Sequence, residues 1–99
     1  MAELTGKQRR HLRALGHHLS PVLQIGHEGL TDSLVAQANA QLDLHELIKV
    51  KVGESSPLPR HAAASQLSSA TKSELAQVLG RTFLLYRPRP KDPAILLPK

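Results

Sequence analysis

Apolar residues recur along the chain with two different periods, and each change of period marks an element. Thr5 followed by Gln8 has the form of a capping box and opens a helix that runs to about His17. Leu12, Leu15 and Leu19 share one stripe of that helix, with Lys7, Arg10, Arg13 and His17 on the opposite side. After Ser20-Pro21, the run VLQI at 22 to 25 reads as a short buried strand ending at Gly26. Thr31 caps a second helix, with Asp32 in its first turn where the helix dipole favours an anion. Leu34, Val35, Ala38 and Leu42 form its stripe, and its end is expected near Asp43 or Leu44. In ELIKVKV the period falls to two: Ile48, Val50 and Val52 face one way, Leu47, Lys49 and Lys51 the other. GESSPLP is a loop, and the alanine-rich stretch from Arg60 to about Ala70 is a third helix.

Local propensity leaves Ser73 to Leu79 open between a continued helix and a strand, but Gly80-Arg81 and the strand-forming TFLLYR favour a hairpin. The tail, from about residue 88 to 99, is basic and proline-rich; RPRPKDP reads as extended and solvated, while AILLPK either adds an edge strand or packs on the surface. The order α-β-α-β-α-β-β predicts one α/β domain over residues 1–99, a four-stranded mixed sheet with helices packed on it. Right-handed crossovers should join its first three strands.

A chain of 99 residues buries roughly 65% of its unfolded surface, enough for a modest core without staples. The absence of cysteine removes disulfide frameworks, zinc ribbons and thiol nucleophiles, and fits a reducing compartment. The first twenty residues lack the continuous apolar core of a signal peptide, and FLLY and AILL are far too short to cross a bilayer, so a cytoplasmic protein is expected. The net charge of +5 is unevenly placed. Lys7, Arg9, Arg10 and Arg13 face only Glu3 at one end, and Arg81, Arg87, Arg89, Lys91 and Lys99 face only Asp92 at the other, while the middle is slightly acidic. That segregation points to a polyanion partner touching surface built from the termini.

Enzyme signatures are missing: no GxxxxGK[ST], GxGxxG or GxSxG run occurs, and no carboxylate, serine or histidine spacing singles out a catalytic pair. The six histidines contain no i, i+4 pair, so neither a metal nor any other cofactor is expected. Phe83 and Tyr86 are the only aromatic residues; both lie in an apolar strand and read as core, too few to stack a run of bases.

Gly26 and Gly29 bracket His27 and Glu28 between the end of a strand and the start of a helix. With six glycines in the chain the spacing alone means little, and the context carries the reading. Such a loop can turn with positive φ, and a missing Cβ lets a sugar-phosphate backbone come close to outward N–H groups. KH domains clamp RNA with a GxxG loop in this way.

The stretch LRALGHHLSPVLQIGHEGLT, followed by HELIKVKV and GRTFLLYRP, resembles the CRM domain, specifically its stand-alone YhbY-like bacterial members, from about Leu4 to Pro98. The resemblance implies an RNA-binding α/β domain, similar in fold to the C-terminal domain of a bacterial translation initiation factor and associated with precursors of the large ribosomal subunit. It implies that Ser73 to Leu79 is a strand. By position it implies an RNA-contacting loop of Gly26, His27, Glu28 and Gly29 flanked by Thr31, and a basic first helix beside it contributing Lys7, Arg10 and Arg13. Arg87 also falls on a matched position, where a structural role is equally compatible. Glu28 departs from the family, whose loop is more often neutral or basic there. The rival reading is a module that docks on ribosomal proteins or a translation factor, with LLYRPRP as its contact.

Overall fold

The computed structural model describes residues 4–99. Helix α1 spans Gly6–Gly16, and its entry is fixed on both sides: Thr5 Oγ1 accepts the N–H of Gln8 while Gln8 Oε1 accepts the N–H of Thr5. Strand β1 is only Leu23–Ile25. Helix α2, Asp32–His45, begins where Thr31 Oγ1 accepts the N–H of Leu34. Strand β2 is Leu47–Val52, helix α3 is Arg60–Thr71, and strands β3 and β4 are Glu74–Leu79 and Thr82–Tyr86. The segment that local propensity left open is therefore a strand. Lys72, in the left-handed region at φ 54°, ends α3 and turns the chain into it.

The strands lie in the order β1-β2-β4-β3. β1 runs parallel to β2, and β4 runs antiparallel to both β2 and β3. This is the mixed sheet expected from the element order. Because β2 is flanked by neighbours and covered on both faces, its apolar positions serve two cores. Ile48, Val50 and Val52 join Leu23, Ile25, Phe83 and Leu85 under the stripes of α2 and α3. On the other face Leu47, Leu84 and Tyr86 pack with Leu4, Leu12 and Ala76. Leu12 of α1 is fully buried there, worth roughly 1.5–3 kcal/mol against its exposed state. The rest of its expected stripe is not: Leu15, one residue before α1 ends at Gly16, stays 39% exposed, and Leu19, beyond that end, 37%. α1 also sits very close to the sheet, since a Cβ at Gly16 would overlap the side chain of Leu84.

The tail adds no strand. It folds back over the second core, where Ile95 and Leu97 pack, and its anchor is Glu46. Glu46 is fully buried, and its carboxylate accepts the N–H groups of Arg89 at 2.7 Å, Ala94 at 2.7 Å and Ile95 at 2.9 Å. Arg89 to Pro93 stay exposed as expected and AILLPK takes the surface-packing alternative; the addition is the anchor, one buried carboxylate that collects the amides at both ends of the exposed stretch.

Candidate nucleic-acid interface

The Gly26–Gly29 loop begins as the β1 ladder ends. Ile25 O accepts the N–H of Gly53, which ties the base of the loop to the end of β2, and Gly26 O accepts the N–H of Gly29 at 3.0 Å, closing a tight turn. His27 and Glu28 occupy its tip with side chains 81% and 72% exposed and 3.9 Å apart. Thr31, though flanking the loop as expected, has its hydroxyl engaged in capping α2. The first N–H groups of α2 lie beyond that cap, and such groups have no partner within a helix. A shallow pocket of about 260 Å³ opens here, floored by Gln24, Gly26, Gly29 and Leu34.

The two glycines differ in what they do. Gly29 has φ +70°, and a Cβ there would lie 3.2 Å from Pro57 Cγ, so the turn itself requires glycine. Gly26 has no positive φ, and a Cβ built on it would meet nothing within 4 Å. The fold leaves Gly26 unexplained; open space in front of a bare Cα is what an approaching ligand backbone needs.

The other expected site residues are dispersed. Lys7, Arg10 and Arg13 are exposed on α1, but α1 packs on β2, β3 and β4 on the sheet face opposite α2 and α3. The basic helix is therefore across the sheet from the start of α2, not beside it. Arg87 is turned inward: its guanidinium donates to Asn39 Oδ1 and O, to Thr71 O and to Asp43 Oδ1 at 2.9 Å. It closes the ends of α2 and α3 on β4. Arg89 does likewise, donating to Asp43 O and Leu44 O at the negative end of α2. Arg9 donates to Leu75 O. Charge that looked like a polyanion surface is partly helix-capping and cross-bracing.

The cations near the loop end of the sheet are others. Lys51, exposed, pairs in register with Gln24, and the carbonyl of Arg81 accepts the N–H of Val52. Arg60 donates to Gly80 O beside that turn. Alternation in ELIKVKV already set Lys51 on the polar face, but no local pattern showed that the β3–β4 turn would return to the same end of the sheet.

Among the described residues no group of three or more His, Asp or Glu is placed to hold a metal, and no helix is long and apolar enough to cross a membrane. The chain is 38% identical over 95 residues to "Probable RNA-binding protein YqeI" of Bacillus subtilis, covering 96% of this chain and 99% of that one. It is 36% identical over 99 residues to a Haemophilus influenzae protein named "RNA-binding protein", covering 100% and 99%. The solution structure of the hypothetical protein SAV1595 from Staphylococcus aureus superposes with a TM-score of 0.81 at 41% identity, covering 96% of this chain and 99% of that one. With the order of elements, the loop between β1 and α2, and a match over residues 4–87, the chain belongs to the CRS1/YhbY (CRM) domain family.

Proposed function

We propose that this domain is a cytoplasmic, non-catalytic RNA-binding protein that holds precursor RNA of the large ribosomal subunit during assembly. The RNA backbone lies against the Gly26–Gly29 loop, with phosphate facing the first amides of α2 and the side chains of His27 and Glu28 flanking it. Lys51 and Arg81 extend the positive field at that end of the sheet, while Lys7, Arg10 and Arg13 act from the far face as longer-range attraction. Two curated relatives carry RNA-binding names over almost their whole length, which supports the class of ligand. The observation that carries the contact point is Gly26, a glycine that neither backbone conformation nor packing demands.

Because Gly29 shapes the turn, Gly26→Asp alone is the informative substitution. The variant keeps its fold, and its affinity for single-stranded RNA falls by about tenfold or more as a carboxylate enters the phosphate path. Parental affinity in the folded variant removes the loop from the interface. Parental binding weakens with salt at a log–log slope of about −0.7 per neutralised phosphate. Glu28→Lys tightens binding by about 1 kcal/mol at low salt, since among the described residues no Lys or Arg pairs with the Glu28 carboxylate.

The rival contact LLYRPRP is poorly placed for a partner. Leu84, Leu85 and Tyr86 are buried, and Arg87 and Arg89 are bonded to α2.

A further inference from the structure

The pocket at the glycine loop has a neighbour. Gln24, which lines it, also lines a second hollow of about 470 Å³ whose other walls include Lys51, Gly53, Glu54 and Arg81. The two meet across β1, the edge strand of the sheet and only three residues long. Residues paired across strands share a face, so Gln24, Lys51 and Thr82 form one row over β1, β2 and β4, about 10 Å long. One row further from the loop, Lys49 pairs with Leu84, and there the end of α1 covers the sheet with Gly16 against the Leu84 side chain. The Gln24 row lies beyond that cover: Gln24 and Lys51 are exposed and Thr82 is half-buried.

The row stands on a braced backbone. A Cβ at Gly53 would lie 2.9 Å from Gln24 Nε2 and 3.0 Å from Ile25 O, so the bare Cα leaves room for the Gln24 carboxamide beside the end of β2. The β3–β4 turn is held from two sides: Arg81 O accepts the N–H of Val52, and Gly80 O accepts a guanidinium N–H of Arg60. Arg81 therefore leaves the chain from a fixed point next to Lys51. Both cations are exposed, and among the described residues neither is in an ion pair. Glu54 is the one carboxylate lining the hollow, and it is outnumbered by Lys51 and Arg81, with Arg60 behind the turn. The opposite way out of the loop pocket runs past Leu34 and Gln37 of α2; no lysine or arginine lines it, and the first turn of α2 carries Asp32.

We propose that single-stranded RNA leaving the Gly26–Gly29 loop turns round the end of β1 and crosses the sheet over Gln24, setting its next two phosphates on Lys51 and Arg81. This path rests on the RNA reading above and gives it a direction and a second point of contact. Electrostatics chooses the exit, because a polyanion is drawn toward the two unpaired cations and away from Asp32. The shape of the surface chooses the strand state. Duplex DNA is straight over about 150 base pairs, and a duplex cannot follow so sharp a turn round a three-residue edge strand. Arg60 is a positioning residue here, acting through the turn that carries Arg81.

The test is fluorescence anisotropy of the full chain with two oligouridines, one of about four nucleotides, which a GxxG loop fills alone, and one of about eight. The double variant Lys51→Gln, Arg81→Gln, checked for folding by thermal denaturation, binds the longer probe about tenfold more weakly, and its log–log salt slope becomes shallower by about 1.4, two phosphates' worth. It binds the shorter probe within about twofold of the parent. Glu54→Gln tightens the longer probe only. Lys7→Gln, Arg10→Gln removes the same charge from α1 and moves neither probe by more than about twofold. An unchanged slope with the longer probe overturns the path, as does equal weakening of both probes or an equal effect of the α1 pair. If any of these is found while Gly26→Asp still weakens binding, the loop contact stands and the path over Gln24 falls. A parent that binds neither oligouridine overturns both.

Discussion

The two ends of the sheet handle polar groups in opposite ways. At the end where β2 begins, the buried Glu46, the half-buried Arg87 and the exposed Arg89 each meet backbone or side-chain partners from elements distant in sequence. At the end where β2 finishes, His27, Glu28, Lys51 and Arg81 are exposed. Net charge is therefore a poor guide to where a polyanion binds in this molecule. A cation already bonded to a helix's last carbonyls holds the fold together; one with no internal partner can meet a ligand.

The sharpest way to break this contrast is to empty the inward end. Glu46→Ala leaves three part-buried N–H groups without their acceptor and lowers stability by about 3 kcal/mol, measured by urea denaturation. Acid acts on the same group. Burial pushes the Glu46 carboxyl up, but the amides of Arg89, Ile95 and Ala94 and the Arg89 charge outweigh it and hold the carboxyl below its ordinary value of 4.5. Its folded value is below its unfolded one, so its stabilisation is complete above 4.5 and drains away as pH falls beneath it. Tail amide signals recorded from neutral to acid pH should collapse in that window, and in Glu46→Gln they should not. Arg87→Ala comes next, at about 2 kcal/mol, because it unties α2 and α3 from β4. RNA affinity should change by no more than about twofold, the loss of one distant charge.

The outward end responds in the reverse sense. Gly29→Ala costs about 1–2 kcal/mol from its positive φ and the Pro57 contact. Gly26→Ala costs less than about 0.5 kcal/mol in the same denaturation experiment, because nothing stands in the way of its methyl group. A large loss at Gly26 would make that glycine structural and dissolve the difference between the pair.

Much of this arrangement could be read from the sequence. The capping box at Thr5, the cap at Thr31 and the alternation through Ile48, Val50 and Val52 are local signals, and local physics settles them. Ser73 to Leu79 was open on propensity, since Lys72 ends α3 in a left-handed conformation that carries no glycine to announce it. The anchor of the tail escaped for a different reason: Glu46 meets Arg89, Ala94 and Ile95 only after the chain has folded, and no spacing encodes the encounter. The candidate loop was legible as a motif. That its two glycines divide the work, and that the cations beside it are Lys51 and Arg81, required the topology.

The second core joins Leu4 and Leu12 to β2, β4 and the docked Ile95 and Leu97. α1 precedes in sequence every strand it packs on, so Leu12 stays uncovered until β2, β4 and the tail have followed it. The opposite layer of α2, α3 and the sheet needs β4 as well, through Phe83 and Leu85, but neither α1 nor the tail, and refolding kinetics should find it formed while α1 is still undocked.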